Sequence, residues 1–244
     1  MTIPRMGGQL SQDHLDFLKA FATSCRHTAI AMLRQSQSGH PGGSLSCLDY
    51  LTLLYSYIIS QTGERVVVSN GHISPGVYAV LAELGYIRDK QQLIDTFRQA
   101  GSIYEGHITR HVPGVWYGTG PLGIGFAAAA GFAHAEKIAG SDRNVYCLIG
   151  DGESQEGEIY ETMHYANKYQ LNNFIVFMDY NGIQLSGSLE EIMPVDYPAI
   201  FRSAHWKVID VDGHDYQDLW RALHEAQQEH HSPTLLLGCT LMGK

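Results

Sequence analysis

The sequence predicts an α/β domain: a doubly wound, mostly parallel sheet with helices on both faces. Three observations predict it. Strand-like runs alternate with helix-like runs along most of the chain, the order that builds crossover units. The strand-like runs are uniformly apolar rather than alternating, as strands covered on both faces are. The 244 residues are 44% hydrophobic and 17% charged, enough for one sizeable core.

Each element has its own signal. Residues 11–37 read as a long helix because Leu15, Leu18, Phe21, Ala22, Ala29, Met32 and Leu33 recur at spacings of three and four. The stretch SGHPGGSLS then breaks the pattern, and residues 48–59 resume a helix. ERVVVSNGH is a short Val-rich strand ending in a Gly turn. Residues 74–85 and 89–100 read as two short helices. GSIYEGHITRHVPGVWYGTGPLGIG is a long Gly-rich loop, and loops of that length in compact domains are usually functional. Residues 126–139 form a helix of small residues, suited to close helix–helix contact. There follow a strand at 145–149, a helix at 157–169, a strand at 174–178, a helix near 197–204, a strand at 207–211, a helix at 215–229 and a strand at 234–240. No internal repeat, low-complexity tract or linker interrupts them, so residues 1–244 read as a single domain.

Composition excludes several functions. A net charge of −9 argues against nucleic acid or an anionic membrane as partner. No window approaches the roughly 20 apolar residues of a membrane span. The N-terminal MTIPRMGGQLSQDHLDF lacks the apolar centre of a signal peptide. Cys25, Cys47, Cys147 and Cys239 lie far apart without CxxC spacing. Three of them sit in apolar contexts and read as small buried residues in a reducing compartment, so the cytoplasm is the expected location.

Two strand ends carry the chemistry. One apolar run stops at Gly150-Asp151-Gly152 and the next at Asp179-Tyr180-Asn181-Gly182. In open α/β sheets, ligands bind beyond the carboxyl ends of the strands. If these two strands are neighbours, the Asp151 carboxylate and the Asn181 carboxamide converge. With a nearby backbone carbonyl they make a hard oxygen site of low charge, which suits Mg2+ completed by phosphate oxygens and water. Gly150 and Gly152 let the backbone approach those phosphates. The helix that follows offers its N-terminal N–H groups to an anion. The expectation is a Mg2+–diphosphate clamp; the plainer alternative is a strand-to-helix turn capped by Asp151.

With these motifs the chain resembles the transketolase family. SGHPGGS (38–44), SNGH (69–72), GH (106–107), TGPLGIG (119–125), GDGESQEG (150–157) and DYNGIQLSG (179–187) follow the order and spacing of that family's thiamine diphosphate-binding domain, over about residues 15–244. The resemblance implies the thiamine diphosphate-binding fold of the diphosphate-holding type. It implies that Asp151, Asn181 and the carbonyl of Ile183 ligate Mg2+, with Ca2+ or Mn2+ able to substitute. Gly152, Asn181 and His72 would contact the diphosphate. The backbone of Gly120, Pro121 and Leu122 would face the thiazolium and aminopyrimidine. His40 and His107, with His72, would be the catalytic histidines, the first two facing the hydroxyls of a ketose. Imidazoles suit proton movement near neutral pH. Arg110 and His111 share the loop and read as either substrate-facing or surface groups. Glu156 reads as either a dimer-interface residue or a helix cap. His205 and His214 read as structural.

The resemblance also implies absent parts. A transketolase needs a pyrimidine domain and a C-terminal domain, and the family's further histidine loop would follow Lys244. The expectation is therefore the N-terminal subunit of a split, two-subunit transketolase, active only with a partner that carries those domains and joined as a dimer of heterodimers. Helix 126–139 reads as part of that contact or as an ordinary buried helix. The reaction would move a two-carbon ketol unit from a ketose phosphate to an aldose. The alternatives are another thiamine diphosphate enzyme, of 1-deoxyxylulose-5-phosphate-synthase or 2-oxoacid dehydrogenase type, a non-catalytic regulatory paralogue, or a fragment. GHITRH departs from the family's loop, which leaves the sugar open. A nucleotide-binding Rossmann protein ranks last because no GxGxxG opens a first βα unit.

Overall fold

The computed structural model describes Pro4 and residues 7–244. Residues 1–3, 5 and 6 of the N-terminal segment read above lie outside them. The chain begins with α1 (Gln12–Ser36), α2 (Pro41–Ser46) and α3 (Leu48–Leu54), a π-helical turn Tyr55–Ile59 and α4 (Ser60–Thr62). β1 (Arg65–Val68) leads through a 3-10 turn, Gly71–Ile73, to α5 (Ser74–Glu83) and α6 (Lys90–Thr96). After the long loop come α7 (Ile124–Ile138), β2 (Val145–Gly150), a 3-10 turn Glu153–Gln155, α8 (Gly157–Lys168) and β3 (Phe174–Tyr180). A hairpin of β4 (Ile183–Gln184) and β5 (Gly187–Ser188), then α9 (Leu189–Ile192), α10 (Tyr197–Ser203), β6 (Lys207–Asp212), α11 (Tyr216–Gln227) and β7 (Thr234–Cys239) complete it.

The main sheet has the order β1-β2-β3-β7-β6, and every pairing in it is parallel. Its residues alternate between two cores. Val66, Val68, Tyr146, Leu148, Ile175 and Phe177 pack with α1, α3, α5 and α11. Val67, Cys147, Ile149, Val176 and Met178 pack with α7, α8 and α10. Both faces are covered, which is why the strands read as unbroken apolar runs. Phe177 stacks on Tyr50 with ring centroids 4.0 Å apart and planes 10° apart, joining β3 to α3. Cys25, Cys47 and Cys147 are buried and free, and Cys239 is exposed. Among the described residues no helix is long and apolar enough to cross a membrane.

Some local expectations need correction. The Pro-Gly stretch after α1 turns at Gly39 but then forms a short helix, because Pro41 sits at its first turn, where a missing N–H costs nothing. The helix expected at 48–59 changes to a π-turn at Tyr55. The helix expected at 89–100 ends at Thr96, where Phe97 turns to extended backbone. The β4–β5 hairpin has no sequence-level signal beyond Gly182, whose φ of +73° makes the turn into it.

Candidate functional site

The site forms at the carboxyl ends of β1, β2, β3 and β7. β2 and β3 are neighbours in register, with Gly150 opposite Asp179. The first residues past each strand therefore meet. Asp151 is 3% exposed. Its Oδ1 accepts from the Gly152 N–H at 2.7 Å, and its Oδ2 from the Gly182 N–H at 2.7 Å. The second bond ties the GDG turn to the residue after Asn181. The turn is held from behind by Ser154 Oγ donating to the Gly150 carbonyl at 2.7 Å and by Tyr197 Oη donating to the Asp151 carbonyl at 2.5 Å.

Asn181 is oriented by a buried carboxylate that the sequence reading did not single out. Asp179 is 1% exposed. It accepts from Ser46 Oγ at 2.6 Å, Thr240 Oγ1 at 2.5 Å and Asn181 Nδ2 at 3.0 Å. Because the Asn181 amide N–H is spent on Asp179, its carbonyl oxygen turns the other way, where it accepts from the Ile183 N–H at 3.1 Å. Ser46 and Thr240 lie far from Asp179 in sequence, so only the fold shows this grouping.

The three loop histidines also come together. The ring centroids of His40 and His72 are 5.2 Å apart, and those of His40 and His107 are 5.9 Å apart. Gly120 lies beside His107: a Cβ placed on it would stand 3.9 Å from the ring. The histidine group and the strand-end group are one site, bridged by Gly43 of α2. A Cβ there would be 3.8 Å from His72 Nε2 and 3.9 Å from Asp179 Oδ2. Burial lowers the pKa of His72 to about 4, with the neighbouring His40 and His107 adding to it. Burial, His107 and Arg98 lower that of His40. His72 is therefore a neutral imidazole at pH 7.

Pro121, Leu122, Arg110 and His111 are exposed. Glu156 stands at the N-cap of α8, but its side chain makes no capping hydrogen bond, which goes against the capping alternative and leaves the interface alternative untested. His214 is structural as expected, with Nδ1 2.8 Å from Asp49 Oδ2 and Nε2 accepting from the Leu241 N–H at 2.9 Å.

The residues fit a divalent cation with a diphosphate. Burial pushes the Asp151 pKa up to about 6, against the opposing pull of the Gly182 and Gly152 N–H groups. The carboxylate thus stands where a cation would relieve a desolvation cost. Two buried polar atoms flanking the turn have no hydrogen-bond partner among the described residues: Asn70 Oδ1 and Gln184 Nε2. Asn70 lies against Gly150, and Gln184 lies against Gly152, whose added Cβ would meet Gln184 Cγ at 3.3 Å. Among the described residues no cluster of three His, Cys, Asp or Glu side chains is arranged to hold a metal. The candidate donor set has one carboxylate, one carboxamide and one backbone carbonyl, a composition suited to Mg2+ rather than to a softer ion.

Comparison with known proteins decides the family. Residues 18–244 match the family described as transketolase, thiamine diphosphate binding domain. The chain belongs to that family. Over 228 residues it is 35% identical to a protein of Phocaeicola vulgatus named as one subunit of an apulose-4-phosphate transketolase, covering 90% of this chain and 80% of that protein. Over 245 residues it is 33% identical to the 6-deoxy-6-sulfo-D-fructose transketolase subunit SqwG of a Clostridium species, covering 96% of this chain and 88% of that one. The crystal structure of Campylobacter jejuni transketolase superposes with a TM-score of 0.88 at 33% identity, over 94% of this chain and 38% of that one. This transketolase domain thus spans under two fifths of that longer chain.

Proposed function

We propose that this chain is the thiamine diphosphate-binding subunit of a split transketolase, which moves a two-carbon ketol unit from a ketose donor to an aldose acceptor. One observation carries the reading: Asp151 and Asn181 meet at adjacent strand ends, under the same opening that gathers His40, His72 and His107. Asp151, the Asn181 oxygen and the Ile183 carbonyl hold Mg2+, and the backbone at Gly152 with Asn181 and His72 holds the diphosphate. When bound, thiamine diphosphate supplies the electron sink for breaking a carbon–carbon bond beside a carbonyl.

The chain's own residues do the rest. His72, kept neutral by burial, binds through a ring N–H without adding charge. His40 and His107 stand close enough to share one substrate and move protons at its hydroxyls. The backbone of Gly120, Pro121 and Leu122 lines the opening beside His107. The aminopyrimidine end is held by a partner subunit carrying the pyrimidine and C-terminal domains. The names of the two relatives above, each called a subunit, support that division. They are named for different sugars, so the proposal stops at a ketose donor.

The test is recovery of the chain from the cells that make it, with its bound proteins identified by mass. A partner carrying a pyrimidine-type domain is expected. The reassembled pair should convert a ketose and an aldose without releasing CO2. Release of CO2 from pyruvate or another 2-oxoacid would overturn the transketolase reading in favour of a decarboxylating enzyme.

A further inference from the structure

We propose that Glu153 is a positioning residue, which locks three of the loops of the site to one another before a ligand arrives; this rests on the site reading above. Glu153 is 3% exposed. Its Oε1 accepts from Ser69 Oγ at 2.6 Å and from the Gly123 N–H at 2.8 Å, and its Oε2 accepts from the Gly150 N–H at 3.1 Å. Ser69 Oγ in turn accepts from the Phe126 N–H at 2.9 Å. The four donors belong to three separate segments. Ser69 directly follows β1 and precedes Asn70, Gly71 and His72. Gly123 follows Gly120, Pro121 and Leu122 and leads into α7. Gly150 ends β2 and precedes Asp151.

A carboxylate is the side chain this junction requires. Three donors converge on two oxygens, and none of them can accept a hydrogen bond in return except the Ser69 hydroxyl. An ionised carboxylate is acceptor-only and has room for all three. A carboxamide of the same shape turns an NH2 group toward one of the backbone N–H donors. Glu153 takes part in none of the ion pairs among the described residues. When it is ionised, these three donors rather than a cation meet its charge, and such bonds are the charge-assisted kind. The 3-10 turn Glu153–Gln155 makes the geometry possible by folding the side chain back over the end of β2. The loops of His72, of Gly120 to Leu122 and of Gly152 each pass within three residues of a donor to this one carboxylate, whereas the Asn181 turn is tied through Asp151.

The test uses the full chain without cofactor. Amide hydrogen exchange is compared between the natural sequence, Glu153→Gln and Ser69→Ala. Exchange in Glu153→Gln should quicken by about tenfold or more at the amides of residues 69–73, 120–126 and 150–154, while β3 and β7 keep their protection. Ser69→Ala should show the same pattern to a smaller degree, and it decides the matter if Glu153→Gln does not fold. Unchanged exchange, or a uniform rise across all strands, overturns the proposal, because a residue that merely fills the core lowers protection everywhere. Titration with Mg2+ and inorganic diphosphate is the second arm. Affinity in Glu153→Gln should fall about tenfold, and equal affinity in the two chains also overturns the proposal. If the natural sequence binds no diphosphate, the functional reading is what falls, and the exchange pattern alone decides the role of Glu153.

Discussion

Asn181 shows how much one side chain does here. Its amide nitrogen is held by Asp179 at 3.0 Å, which leaves its oxygen as the outward acceptor. Asn181→Ala removes that oxygen and one of three donors to a buried carboxylate. In the assembled protein the variant should lose Mg2+-dependent affinity for thiamine diphosphate by about 10- to 100-fold, by analogy with metal-site substitutions. Calorimetric titration checks this, with circular dichroism to confirm the fold; normal affinity sinks the clamp assignment. His72 gives a pH prediction. Its folded pKa of about 4 lies below the ordinary 6.5. Between those values the unfolded chain binds a proton that the folded chain does not, so stability falls as pH drops through the window and is unaffected above it. From pH 7 to 5 the natural chain should lose more stability than His72→Gln, by no more than about 2 kcal/mol. Urea midpoints at the two pH values measure it, and parallel losses in both chains refute it.

At the scale of elements, the site depends on how tightly α7 sits on the end of β1. A Cβ added to Gly125 would lie 2.5 Å from the Ser69 Cα, so one of the two backbones would have to shift. Gly125→Ala should destabilise the chain by about 1–3 kcal/mol, the range for overpacking a filled core. It should also displace Ser69 and with it the bond to Glu153. A denaturant midpoint at or above that of the natural sequence would show that the helix can move away freely. The strands were legible because apolar runs need no partner to be recognised. β3 nonetheless runs two residues further than its apolar pattern, to Tyr180, so Asp179 is part of the strand and buried. The short helix α2 was not legible, since a six-residue helix has little stability of its own and forms because Ser44, Leu45 and Ser46 are buried against neighbours.

At the scale of the whole molecule, the two cores, one on each face of the sheet, explain why the chain folds as a single α/β layer stack. The groups that the proposed function assigns to a cation, a diphosphate and sugar hydroxyls all lie on one rim of the sheet. Under the proposed function, the chain alone should melt cooperatively but turn over no ketose. Activity should appear only on adding the partner subunit, with mixing ratio and rate followed by a coupled assay. Full turnover by the purified chain alone would refute the need for a partner.

The sequence by itself determined the class of fold, its strand order along the chain and the residues at the ends of β2 and β3, because apolar periodicity and Gly turns are local signals. It also marked the three histidines, since each stands in a Gly-rich loop. Tertiary structure alone decided that β2 and β3 are neighbours, that Gly43 joins the histidines to the strand ends, and that Asp179 and Glu153 are buried hubs. The physical reason is the same in each case. These facts depend on hydrogen bonds between residues far apart in the chain, such as Ser46 with Asp179 and Ser69 with Glu153, and no local pattern records which distant donor a buried carboxylate will find.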